Sequence, residues 1–153
     1  MTEDHSAINV MGRQVMITEV STRRLYLLRA MYAFMAIGIG ITFWPLIVSP
    51  PYTADAKSVV RALLGALGAL SLLGIRYPLK MLPLLMFELA WKVIWVAASA
   101  LPMWLGSGLD AYASETLFAC VLGIVLVILV MPWGYVHMHY VKAAGEPWQT
   151  NRK

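Results

Sequence analysis

The sequence has little charge and one cysteine. Lysine, arginine, aspartate and glutamate together make up 13% of the 153 residues, and 60% of the residues are hydrophobic. A soluble domain carries roughly twice that share of charge, because charged side chains cover its water-facing surface. This shortage argues against a disordered chain, a coiled coil, a nucleic-acid-binding domain and a soluble globule. The lone Cys120 excludes an internal disulfide and a cysteine cluster for zinc or iron–sulfur.

The sequence contains four long apolar stretches. Each is close to the roughly 20 residues that a helix needs to cross about 30 Å of hydrocarbon. They predict helices at about 25–48, 57–75, 81–105 and 112–138. Short links rich in proline or glycine separate them, which makes consecutive helices antiparallel neighbours. Since backbone groups in lipid must be bonded within their own segment, the sequence predicts an all-α integral membrane protein. Its architecture is expected to be an up-down-up-down four-helix bundle in a single domain, 1–153.

Lysine and arginine are distributed unevenly over the links. Two of the twelve, Lys57 and Arg61, lie on one side of the predicted bundle, and one, Lys92, lies inside a helix. The other nine share the opposite side: Arg13, Arg23, Arg24, Arg29, Arg76, Lys80, Lys142, Arg152 and Lys153. Because basic residues accumulate on the cytoplasmic side, this asymmetry predicts the orientation of the protein in its membrane. The N-terminal segment 1–24 and the tail 142–153 are both expected in the cytoplasm, and the net charge of +4 reflects orientation instead of a nucleic-acid partner.

The strongest local signal is a pair of opposite charges inside the third helix. Glu88 and Lys92 are four residues apart and share a helical face. Counted from the start of the helix they lie roughly 10 Å and roughly 16 Å into the span. Charges at that depth face the bundle interior or a wet cavity, so the pair is either a proton or substrate site or a structural ion pair. Arg61 enters the second helix from the opposite end, and either snorkels to the outer headgroups or extends toward Glu88.

Other candidate residues have structural explanations. Ala62, Gly65, Ala66 and Ala69 form a small-residue stripe that predicts an internal packing face or a dimer face. His137 and His139 are expected at the membrane interface, and Cys120 in an apolar helix is expected to be inert. Aromatic residues near the helix ends are expected to anchor the protein in the interface: Trp44, Tyr52, Trp104, Tyr112, Trp133 and Tyr135. With no catalytic constellation, phosphate loop or metal-ligand cluster in the sequence, no catalytic, cofactor or metal site is predicted.

The segment from Arg76 to Lys92, RYPLKMLPLLMFELAWK, resembles small uncharacterised bacterial inner-membrane proteins. In size and four-helix plan these are similar to the DoxX-like group, and the resemblance implies the fold without an activity. The leading functional hypothesis is a non-enzymatic accessory, scaffold or assembly component, in contact with the lipid bilayer and with a second copy or a larger membrane complex. The alternative is a small oligomeric transporter or proton-coupled permeation element that uses Glu88 and Lys92. A membrane enzyme acting on a lipid or quinone comes third.

Overall fold

The computed structural model describes residues 20–143, whose regular structure is entirely helical. The four long helices are α1 (Thr22–Val48), α2 (Ala56–Arg76), α3 (Leu82–Leu105) and α4 (Ala111–Val130). A short helix, α5, follows over 133–142. All four long helices have the length and apolar composition needed to cross a membrane. The predicted all-α fold is therefore confirmed, and the chain is a small multi-pass membrane protein. Most of the predicted N-terminal segment (1–24) and tail (142–153) lies outside the described residues.

The long helices form one compact unit, Thr22–Met131. Helices α1 and α2 make the most extensive contact, and α3 packs mainly against α4. Smaller contacts between α1 and α4 and between α2 and α3 give each helix two neighbours. This is the arrangement of a four-helix bundle whose successive helices are joined by short links, as the sequence predicted. Residues from Pro132 onward lie outside this unit.

Local side-chain bonds fix where two of the helices begin. Asp55 Oδ1 accepts a 2.7 Å hydrogen bond from the Ser58 backbone N–H, and the Asp55 N–H donates to Ser58 Oγ at 3.2 Å. This reciprocal capping box satisfies backbone groups that the first turn of α2 leaves unpaired. Asp110 caps α4 through a 2.7 Å bond from the Ala113 N–H. Before it, Gly108 turns the chain at φ 85°, a conformation that favours glycine.

Two polar contacts bring the start of α1 together with the α2–α3 turn and the end of α4. The buried Tyr32 hydroxyl donates to the carbonyl oxygen of Pro78 at 3.2 Å. The Arg24 guanidinium donates to the carbonyl oxygen of Met131 at 3.5 Å. Arg76 is the last residue of α2, and Lys80 lies in the same turn as Pro78. The basic side chains at these three places therefore share one end of the bundle.

The contact between α1 and α2 depends on small residues of α2. Those that are buried are Gly65, Gly68, Ser71 and Gly74. The Tyr32 ring lies where a Cβ on Gly74 would be, and Ile47 Cδ1 lies 2.6 Å from the position of a Cβ on Gly65. Because there is no side chain at these positions, large side chains of α1 pack directly against the α2 backbone.

The predicted small-residue stripe on α2 was only partly correct. Of its members Gly65 is buried, whereas the three alanines are exposed: Ala62, Ala66 and Ala69. The buried face instead follows a spacing of three residues. The large side chains of α1 determine which face of α2 is buried, since the Tyr32 ring occupies the space beside Gly74. A list of small residues on one helix cannot show where the neighbour's large residues are.

Helix α4 ends earlier than the sequence predicted. The expected helix over 112–138 stops at Val130, and a separate helical turn begins at Trp133. Met131 has φ −59° and ψ 126°, an extended conformation. The cause is Pro132, which lacks a backbone N–H and disfavours the helical conformation in the residue before it. The sequence is apolar on both sides of Pro132, so its composition did not indicate the break.

Helix α3 contains a wide turn. Val96–Ala100 is π-helical, and the Leu101 N–H bonds to the Val96 carbonyl oxygen five residues earlier. Pro102 follows directly, and a proline inside a regular α-helix clashes with the carbonyl four residues before it. The wider turn changes the bonding register next to the proline, so that the helix continues to Leu105.

Candidate functional site

Glu88 lies on the buried face of α3. The buried residues of this helix's first two turns are Leu82, Leu85 and Glu88, which follow one another at a spacing of three. Only 4% of the Glu88 surface is exposed. The position of the carboxylate is thus set by the same helical periodicity that buries the two leucines. A buried carboxylate is costly unless its oxygens receive hydrogen bonds or a counter-charge.

Both carboxylate oxygens of Glu88 have partners on the same helix. Lys92 Nζ lies 2.6 Å from Oε1, and Trp91 Nε1 donates to Oε2 at 2.7 Å. The Lys92 side chain is 12% exposed. Charge-assisted hydrogen bonds of this length are strong, and together they offset much of the cost of removing the charges from water. Three residues within one turn of α3 therefore form a self-contained polar cluster.

Lys92 also connects this cluster to α4. Its ammonium lies over the Trp91 ring, 4.3 Å from the ring centroid, in cation–π geometry. On the other side, a Cβ added to Gly123 would lie 2.5 Å from Lys92 Cε and 3.3 Å from Nζ. Cys120, one turn before Gly123, is buried and within electrostatic reach of both charges. The ion pair is therefore packed between α3 and α4.

The chemistry available at this cluster is limited. The carboxylate accepts one bond from an ammonium and one from an indole, and protonation of the carboxylate would weaken both. Within residues 20–143, no group of three or more histidine, cysteine, aspartate or glutamate side chains is placed to hold a metal ion. What the arrangement does directly is to neutralise two charges and to fix the position of Lys92 against α4.

Arg61 does not join the pair. It lines an open groove of about 700 Å³ together with residues of α1, α2 and α4: Thr42, Phe43, Leu46, Ala56, Lys57, Val60 and Tyr112. It also lines a smaller cleft of about 130 Å³ beside the link that contains Ser49 and Thr53. Glu88 is bonded to Lys92 and Trp91 instead. The possibility that Arg61 extends to Glu88 is therefore wrong, and Arg61 belongs to the opposite end of the bundle.

The histidines of α5 have local contacts. The His139 ring stacks on the Tyr135 ring with centroids 3.9 Å apart and planes at 15°. His139 Nδ1 lies 3.1 Å from the carbonyl oxygen of Tyr135, which accepts a hydrogen bond when Nδ1 is protonated. His137 is exposed. These contacts are those of side chains that stabilise their own helical turn.

Trp91 is the site residue that the sequence analysis missed. It lies three residues after Glu88, a spacing at which helical side chains meet. An indole N–H in apolar surroundings needs an acceptor. Those two facts together, a tryptophan at this spacing from an intramembrane carboxylate, are the signal that could have identified it.

Comparisons with models of known protein families, with curated protein sequences and with solved structures find no match. No residue role is therefore taken from a relative.

Proposed function

We propose that the protein is a non-enzymatic accessory, scaffold or assembly component of a membrane complex, in which the Glu88–Lys92 pair is structural. The observation that carries this proposal is the bonding of both Glu88 oxygens within α3 at 4% exposure. A transport residue has to exchange protons or ligands with water, and the low exposure of Glu88 together with its two donors disfavours that exchange. The burial and bonding of Glu88 thus favour a structural role.

The outer surface of the bundle supports a role in contact with lipid and other helices. Large apolar side chains are exposed on every long helix, including Ile41, Leu72, Leu105, Phe118 and Leu129. Such surfaces are stable in the bilayer or against another membrane protein. The exposed alanines of α2 (Ala62, Ala66 and Ala69) would allow a helix of a second copy or a partner to approach closely.

We also propose that the protein lies in the bacterial inner membrane with both termini in the cytoplasm. The support is the clustering of Arg24, Arg76 and Lys80 at the end of the bundle where Tyr32 bonds to Pro78. Basic residues close to helix ends are retained on the cytoplasmic side. Lys57 and Arg61 lie at the other end and are outnumbered.

Thiol labelling of intact cells tests this orientation. Single cysteines at Ser107 and at Thr150, each in a Cys120→Ser background, are treated with a membrane-impermeant reagent. Position 107 should react in intact cells, and position 150 only after the cells are opened. The reverse pattern would overturn the orientation.

Infrared difference spectroscopy tests the role of the pair. The Glu88→Gln variant identifies the Glu88 band in the membrane-embedded protein. For a structural pair, the carboxylate band should not change across the neutral pH range. A band that titrates there, together with proton flux into proteoliposomes that Glu88→Gln abolishes, would establish the permeation alternative and overturn the scaffold.

A further inference from the structure

An open groove lies at the end of the bundle opposite the Tyr32–Pro78 hydrogen bond. Its walls come from the second half of α1, the first turns of α2 and the start of α4. The volume of about 700 Å³ lies within the usual range of ligand clefts. The groove lies near the ends of membrane-spanning helices. This places it at the boundary between the lipid headgroups and the acyl chains.

The charge of this groove is positive. Lys57 and Arg61 are four residues apart on α2, so their side chains share one face. Among the described residues, no carboxylate lies within ion-pair distance of either one. Arg61 acts electrostatically on Asp55, whose carboxylate accepts the Ser58 backbone N–H as the helix cap. Two cationic groups thus line the groove without a salt-bridge partner in the part of the chain that the structure describes.

The remainder of the groove is mostly apolar. Phe43 and Leu46 of α1 face Val60 of α2 along it. Tyr112 lies at its edge with 78% of its surface exposed. The Thr42 hydroxyl donates to the Gly38 carbonyl oxygen at 2.8 Å, so its proton is already engaged. The positive charge therefore stands beside a long apolar surface.

We propose that this groove binds one anionic phospholipid. The headgroup phosphate is placed between Arg61 and Lys57, and an acyl chain lies along Phe43, Leu46 and Val60. A guanidinium presents paired N–H donors that match phosphate oxygens, and a basic pocket between membrane helices suits a lipid headgroup. A free anion would leave the apolar walls uncovered, whereas an apolar helix would leave both cations unpaired. This inference does not depend on the proposed scaffold function.

Native mass spectrometry of the purified protein in detergent tests the proposal. Phosphatidylglycerol and phosphatidylcholine with identical acyl chains are added in separate titrations, and inorganic phosphate in a third. The wild type should retain one phosphatidylglycerol in preference to phosphatidylcholine. Lys57→Gln and Arg61→Gln should each reduce that preference about fivefold, the change that corresponds to ~1 kcal/mol for a basic residue at a membrane surface.

Two further variants give the test its controls. Arg76→Gln/Lys80→Gln removes two cations with the same spacing at the other end of the bundle, and should leave the preference unchanged. Val60→Trp fills the groove but keeps both cations, so it should weaken retention of phosphatidylglycerol without loss of charge. This variant tests the groove independently if the charge variants do not fold.

Several results would overturn the inference. An unchanged preference after Lys57→Gln/Arg61→Gln, or an equal loss in the Arg76→Gln/Lys80→Gln control, would mean that the groove does not select the lipid. Displacement by inorganic phosphate that is insensitive to Val60→Trp would indicate a simple anion site. A lipid-free dimer that Val60→Trp dissociates would assign the groove to a second copy of the chain.

Discussion

Lys92 occupies space that a side chain at Gly123 would fill: a Cβ at that glycine would lie 2.5 Å from Lys92 Cε. On the other side the Lys92 ammonium is held 2.6 Å from Glu88 Oε1. The lysine therefore has a glycine of α4 on one side and a carboxylate of α3 on the other. The ion pair and the α3–α4 contact depend on each other, and substitutions at either place should be coupled.

Gly123→Ala should lower the thermal stability of the protein in detergent. The added methyl group has to displace the flexible end of Lys92, whose bond to Glu88 opposes the shift, so we expect a loss at the lower end of the about 1–3 kcal/mol that overpacking costs. In a Glu88→Gln/Lys92→Ala background the same change should be neutral or stabilising, because alanine favours a helix over glycine by about 1 kcal/mol. Melting temperatures of the four proteins form a double-mutant cycle. An undiminished loss in the second background would show that Gly123 is needed for another contact.

The charge pair should cost more to separate than to remove. Glu88→Gln and Lys92→Met each leave one buried charge without its partner, whereas the double variant removes both buried charges. We expect each single variant to lose up to a few kcal/mol, since water or a change of protonation relieves part of the penalty in a membrane. The double variant should recover most of the loss. Thermal unfolding in detergent measures all three, and single variants as stable as the wild type would contradict the pair.

Gly74→Ala should be among the most destabilising single changes in α2. The Tyr32 ring lies where the new methyl group would be, and that ring is fully buried and bonded to Pro78. We expect a loss of about 1–3 kcal/mol from overpacking. The matched control is Gly38→Ala in α1, where no atom lies within 4 Å of the new Cβ. The control should be neutral or stabilising, by up to about 1 kcal/mol. Equal losses at both positions would refute the contact.

The cap of α2 should weaken in acid. The Ser58 backbone N–H that bonds to Asp55 holds the pKa of the Asp55 carboxyl below its ordinary value. A carboxyl whose pKa is lower in the folded protein stabilises it fully above the unfolded pKa. That contribution disappears as the pH falls through the folded pKa. Asp55→Asn keeps a good cap without the titrating group. The wild type should therefore lose melting temperature relative to Asp55→Asn as the solution is acidified, and parallel curves would contradict this.

Much of the fold could be predicted because it follows from hydrophobicity and from the proline and glycine residues that end helices. Long stretches without charge have to be helical in lipid. Pro50 and Pro51 lie in the link after α1, and Gly108 lies in the link before α4. The position of Glu88 relative to Lys92 follows from the helical repeat alone. These features are local, so one sequence is enough to find them.

The errors concern features that depend on a neighbouring helix or on a single proline. Gly68 and Gly74 could not be recognised as contact points without knowing that Ile39 and Tyr32 lie opposite them. The end of α4 at Val130 was missed because Pro132 lies within an apolar run whose composition does not change. The separation of Arg61 from Glu88 likewise depends on how the helices are arranged around the bundle.

The Glu88–Lys92 pair has a consequence for the biosynthesis of the protein. Both partners lie on α3 one turn apart, so their charges can neutralise each other as soon as that segment becomes helical. A charge whose counter-ion came from another helix would remain unpaired in the membrane until that helix packed against it. The charges of α3 therefore sum to zero within that helix, before α4 packs against Lys92.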